Sequence, residues 1–165
     1  MMKQTLIFRF LGLMLGLTLF VASCVETEGN VTPEADLIFT VVDDNGENIS
    51  GAQIFLFPFQ TPYEDYLAAN PEGDPSQTPS LDPEDVATTN SSGEASFIGR
   101  PLDGTSFPSG NTFIHQPNSI YFRVQAEVNG EFLTNDSSDP NTYRISFPDL
   151  ESGEFVRNEI EVVIR

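Results

Sequence analysis

Few side chains of this chain could do covalent chemistry. Its one thiol is Cys24, and its one imidazole is His115, in Thr112-Phe113-Ile114-His115-Gln116-Pro117. No serine or cysteine beside that histidine sits in a recognised nucleophile motif, so a surface or hydrogen-bonded histidine is expected rather than a catalytic base. Carboxylates abound, and a glycosidase needs only two that converge across a bond. Their abundance makes any one pair uninformative, and a carboxylate-based hydrolase ranks below the binding readings. No glycine loop to cradle phosphate and no His-rich metal motif is present. Two oxygen-rich segments, Asp43-Asp44-Asn45-Gly46-Glu47-Asn48 and Asn135-Asp136-Ser137-Ser138-Asp139, have the ligand type hard cations prefer. Counting from Asp43, however, the glycine falls at Gly46 instead of residue 48, where an EF-hand would need it. Asp43, Asp44, Asn45, Asp136 and Asp139 are therefore weak calcium candidates, a hairpin turn explains the first three without metal, and no cofactor is expected. Tyr63, Tyr66, Phe107, Phe113 and Tyr121 could stack on a sugar if they are exposed at a loop edge or sheet face.

The thiol has a telling position. Lys3 and Arg9 flank or enter an apolar run from Leu6 to Val21, which ends in Val21-Ala22-Ser23-Cys24. A charged start, a short apolar core and small residues at the end are the marks of a secretory signal, to be set aside from fold reasoning. The run is short for a membrane span, which needs about 20 apolar residues. The small-small-Cys ending resembles the lipobox of bacterial lipoproteins. That resemblance implies removal of residues 1–23, a diacylglyceryl group on the Cys24 sulfur and an acyl chain on its new amine. Several acyl chains together anchor stably where one holds only marginally. An exported chain with no second cysteine has no disulfide and no thiolate metal site to offer.

Without residues 1–23 the balance is 5 basic against 25 acidic residues, a net charge of −20, and no lysine remains. Such a surface repels phosphate backbones and anionic head groups, so nucleic acid is excluded as a partner. Residues 24–35 read as the lipidated cysteine and a flexible tether. Glu26 and Glu28 resemble, loosely, the acidic surface-export signals of some Gram-negative lipoproteins, and Val25 is compatible with outer-membrane sorting. The expected location is the cell envelope, lipid-anchored, at the outer membrane, with the surface face favoured and the periplasmic face left open.

From residue 36 to 165 the pattern is one of short strands. Ile120, Phe122, Val124, Ala126 and Val128 alternate with polar residues, as do Ile160, Val162 and Ile164, which predicts strands with one apolar face. Leu37 to Val42 and Gln53 to Phe57 are apolar on both faces and should be central. Tyr143 to Phe147 and Ala95 to Ile98 add shorter strands. Asn45-Gly46, Ser92-Gly93 and Asn129-Gly130 supply hairpin turns. About seven strands in one domain follow, an all-β sandwich with a core of Phe, Ile, Val and Leu. Within an insertion at residues 60–87, Thr61-Pro62 and Glu64 predict the start of a short helix and Asn70-Pro71 its stop. Tyr63, Tyr66 and Leu67 would share its docking face. Pro71 to Ala87 carries four prolines and five carboxylates, which predicts a mobile acidic tract from Glu72 to Asp85, dispensable for folding, with one helical turn near Asp82-Pro83-Glu84-Asp85.

The run Val41 to Ile54, with its Asn45-Gly46 turn and Ser50-Gly51-Ala52-Gln53-Ile54, followed by Thr89-Asn90-Ser91-Ser92-Gly93-Glu94-Ala95-Ser96-Phe97, resembles the carboxypeptidase regulatory-like and transthyretin-like β-sandwich family. The likeness spans about residues 36–165, departing at residues 60–87 and 101–118. It implies an Ig-like sandwich that is mostly non-catalytic, an accessory, adhesive or scaffold module. The sequence thus leads to an envelope lipoprotein that is not an enzyme and binds an unknown envelope protein or glycan, with a carbohydrate-binding accessory module of an envelope uptake system as the alternative.

Overall fold

Alternation along the strands decides what is buried. In the computed structural model, which describes residues 30–135 and 139–165, strand β1 (Glu34–Val42) buries Ala35, Leu37, Phe39 and Val41 completely and turns Glu34 to solvent. It is the middle strand of a three-stranded sheet. On one side it pairs in parallel with β11 (Phe155–Val163), on the other antiparallel with β4 (Glu94–Pro101). The facing sheet is built on β2 (Gln53–Phe57) and β7 (Ile120–Val128), flanked by β3 (Val86–Thr88) and β8 (Glu131–Thr134), with β9 (Arg144–Ile145) on the start of β7. A third, small sheet contains β5 (Gly104–Ser109), β6 (Thr112–Pro117) and β10 (Leu150–Glu151). The main core lies between the two larger sheets. Phe39 meets Phe97 and Phe122 there, edge to face at centroid distances of 5.8 and 5.2 Å.

The expected all-β sandwich with a short helix is present, but with eleven strands among the described residues instead of about seven. The additions are β3 and β10, of three and two residues, and the β5–β6 hairpin within residues 101–118, while the strand expected over Tyr143 to Phe147 is present as the two-residue β9. Segments so short carry no measurable alternation, so pairing and not pattern defines them.

Two further expectations change. Helix α1 (Gln60–Ala69) starts after an extended Phe59 with no side-chain cap, and Gln60 donates to Glu64 Oε1 at 2.6 Å. Thr61 is therefore not the cap; the stop at Asn70 is as expected. The larger change concerns the acidic tract, which packs. Phe55 and Phe57 on the outer face of β2 form a second cluster with Tyr63 and Tyr66 of α1, and Leu81 of the tract packs on it. The Tyr66 hydroxyl donates to the Gln77 carbonyl at 2.6 Å and lies 3.0 Å from Gln125 Oε1, while Asn70 Nδ2 reaches the Asp74 carbonyl at 3.2 Å. Asn70 and Gly73 are buried. Consequently Tyr121, Arg123 and Gln125, expected on a solvated face of β7, lie under cover, and Arg123 is wholly buried. Proline and charge suppressed the apolar count of the tract, yet its backbone carbonyls give the buried amides and hydroxyl their partners.

Candidate functional site

The residues singled out from sequence do not converge. Cys24 and Asp136 lie outside the described residues. Asp43 accepts hydrogen bonds from the backbone amides of Asn45 and Glu47 at 2.8 Å each and from Asn45 Nδ2 at 3.2 Å. Those bonds, the Glu47 amide foremost, hold its carboxyl below the ordinary carboxylate value. Its oxygens are thus committed to the hairpin turn, with Asp44 exposed beside it. Asp139 caps a single helical turn at Pro140–Thr142 through the Asn141 amide. Among the described residues no three His, Cys, Asp or Glu side chains gather as a metal would need.

Of the aromatic candidates, Tyr63 and Tyr66 retain only 5% and 8% exposure. They are withdrawn as ligand-facing rings, since the helix face that could dock does dock. Tyr121 is half-buried, tilted against Tyr63 at 5.7 Å and stacked loosely on Tyr143 at 6.4 Å, with its hydroxyl donating to Gln60 Oε1 at 3.2 Å. Phe107 is exposed and Phe113 half-buried. Their register, Phe107 opposite Ile114 and Phe113 opposite Pro108, puts them on opposite faces of the β5–β6 hairpin.

His115 is buried, with Nε2 2.5 Å from the Leu102 carbonyl and Nδ1 2.7 Å from Ser106 Oγ. A carbonyl can only accept, so Nε2 carries a proton, and in the neutral ring the Ser106 hydroxyl donates to Nδ1. Ser106 sits directly across the hairpin from His115, nine residues away in sequence, which is why local motif reading missed it. The pair ties the third sheet to the segment leaving β4.

A cleft of about 80 Å³ opens where the two larger sheets part, lined by Leu56, Pro58, Asp85, Arg100, Pro101, Asp103, Asn118 and Ile120. Arg100, near the end of β4, forms an ion pair with Asp85, just before β3, and lies 3.4 Å from Glu84 Oε2. This clasp joins the edge strand of one sheet to the edge strand of the other. Burial is the largest influence on Asp85 and pushes its carboxyl above the ordinary value; the Arg100 guanidinium opposes this, and Asp82 and Glu84 reinforce it. A concave site with few polar groups, one of them perturbed, on an apolar floor is the usual form of a small-ligand site. Asp85 and Asp103 offer acceptors, Arg100 donors and Asn118 both. None of the four stood out in sequence. Arg100 is one of five cations after Cys24, and that scarcity was the available signal.

No family model matches the chain, and no curated protein matches it. Among solved structures it is similar to an intradiol ring-cleavage dioxygenase from Tetranychus urticae, at 15% identity over 84% of this chain and 83% of that one, with a TM-score of 0.40. A second dioxygenase shares 15% identity over the same fractions, at a TM-score of 0.35. A candidate carbohydrate binding protein from Pseudomonas aeruginosa is 16% identical over 81% of this chain and 90% of that one, also at 0.35. The expectation that the chain is not an enzyme is corrected here, since two of these neighbours are dioxygenases. Likeness this distant assigns neither an activity nor a ligand.

Proposed function

We propose that the chain is an exported envelope lipoprotein, anchored through Cys24 in the outer membrane, that displays a transthyretin-like β-sandwich as a binding module. The observation that carries this reading is the placement of its sole thiol after Ala22-Ser23, at the end of an apolar run, ten residues before β1 begins at Glu34. Metabolic labelling with a fatty acid tests it. Label on the parent and none on Cys24→Ser supports the anchor; label retained by the variant contradicts it.

A second reading concerns the ligand and rests on the cleft. Paired donors and acceptors at Asp85, Arg100, Asp103 and Asn118, beside the apolar Pro58, Pro101 and Ile120, suit the hydroxyls and C–H faces of a glycan. The mature charge disfavours anionic sugars. Screening neutral glycans against the parent and Asn118→Ala is the test. Binding lost in the variant supports the site, and binding unchanged in it removes the cleft from consideration.

A further inference from the structure

Strand directions give the sandwich two poles. At one, Glu34 of β1 lies opposite both Phe155 of β11 and Pro101 of β4. Pro58, which follows β2, lines the same cleft as Pro101, so Phe59 belongs to this pole too. The opposite pole carries the Asp43–Glu47 turn and the turn at Gly93, whose carbonyl accepts from the Val41 amide at 2.8 Å. The chain arrives at the first pole and is fastened there. Val31 N–H donates to Ser152 Oγ at 2.7 Å, Gly153 N–H to the Val31 carbonyl at 2.9 Å, and Leu102 N–H to the Pro33 carbonyl at 2.9 Å.

Val31 follows Cys24 by seven residue steps, a distance that cannot exceed about 25 Å even fully extended. β1 itself spans about 27 Å from pole to pole. A lipid on Cys24 therefore holds the first pole close to the bilayer and the second away from it. Exposed apolar side chains stand on the held pole: Val31 is 57% exposed, Phe59 52% and Phe155 55%.

We propose that this pole is a lipid-contacting surface, with Val31, Phe59 and Phe155 seated at the boundary between head groups and acyl chains. The proposal rests on lipidation of Cys24. Once the anchor has brought the domain to the surface, the contact is effectively intramolecular, so a few apolar side chains suffice where they could not recruit a free protein. Glu34, Glu151 and Glu154 occupy the same pole. They repel anionic head groups, so the contact selects zwitterionic lipid. The cleft then opens toward the membrane side of the domain, and a ligand reaches it from the rim.

The chain has no tryptophan, so single substitutions report cleanly. Lipidated full-length Phe59→Trp, Phe155→Trp and Val31→Trp are compared with Phe132→Trp, on β8 toward the far pole and 41% exposed in the parent. Each is reconstituted into phosphatidylcholine–phosphatidylethanolamine vesicles with and without brominated acyl chains. The three near-pole variants should shift to the blue and lose about half their emission to bromine, with Phe132→Trp unaffected and the quenching weaker when phosphatidylglycerol replaces part of the lipid. Vesicle flotation separates the possible failures. Protein that does not float refutes the anchor and this proposal with it. Floating protein whose near-pole tryptophans remain unquenched, or whose four tryptophans are quenched alike, overturns the proposal alone. So does a blue shift that rises with protein concentration in soluble Cys24→Ser, because the pole would then be covered by a second copy. Val31 lies outside every strand, so its substitution reports even if one at Phe59 or Phe155 disturbs folding.

Discussion

Replacing Tyr66 by phenylalanine removes one oxygen from the point where helix, sheet and acidic tract meet. That oxygen lies 2.6 Å from the Gln77 carbonyl and 3.0 Å from both Gln125 Oε1 and Asn70 Nδ2. The ring contacts with Phe55 and Phe57, at centroid distances of 5.8 and 5.7 Å, survive the change. Asn70 Nδ2 keeps the Asp74 carbonyl at 3.2 Å, whereas the Gln77 carbonyl loses its bond to the helix. A net hydrogen bond contributes about 1 kcal/mol. The hydroxyl donates one and accepts one, so the expected loss is about 2 kcal/mol, and at roughly 3 °C per kcal/mol for a domain of this size the melting temperature falls by about 6 °C. Urea unfolding gives the free energy, and limited proteolysis gives the locus, because loosening should expose residues 72–85 before any strand. A loss below about 0.5 kcal/mol, the scale of ordinary surface substitutions, with residues 72–85 already cut rapidly in the parent, would refute the packed tract and restore the mobile spacer.

Other substitutions probe the same structure. At Gly73, where φ is +70°, an added Cβ would collide with Thr134 Cγ2 and come within 3.0 Å of Arg123 Nη2, so Gly73→Ala should cost about 2–5 kcal/mol in urea unfolding. Gly110→Ala, at φ +64° in open space, should cost only about 1–2 kcal/mol; equal losses would contradict the close approach. Folded Asp85 holds its proton more tightly than unfolded Asp85, whose ordinary value is 3.8, so its contribution to stability is full below that value and declines as pH rises through the raised one. The stability of the parent relative to Asp85→Asn should therefore fall as pH rises above about 4, and a rise would reverse the assigned direction. Melting in excess calcium and in chelator should agree, because the Asp43 oxygens are engaged by their turn; a site at 100 times its dissociation constant would instead add about 2.7 kcal/mol.

What was legible in the sequence was whatever repeats at short range. The apolar run Leu37 to Val42 announces β1, although the strand already begins at Glu34, within the residues read as tether; Asn129-Gly130 announces the turn after β7, and Tyr63 with Tyr66 announces the docking face of α1. The strand β2 was read as central because both its faces are apolar, and the structure supplies the reason: Ile54 and Leu56 enter the main core, Phe55 and Phe57 the second cluster. Arrangements made by distant residues were not legible. The cover over Arg123 and Gln125 comes from backbone groups of a proline-rich tract, and backbone groups leave no mark in composition. The Arg100–Asp85 clasp spans 15 residues and two sheets, and Ser106 meets His115 only because a hairpin forms between them. Cleft and histidine contacts alike depend on pairing that no local pattern encodes.

The central claim, anchoring by lipid at Cys24, is tested most directly by mass spectrometry of the amino-terminal peptide from protein purified out of native envelopes. The account predicts a peptide that begins at Cys24 and carries a diacylglyceryl group on sulfur and an acyl chain on the amine. A peptide that begins at any other residue, or a Cys24 without lipid, would contradict it.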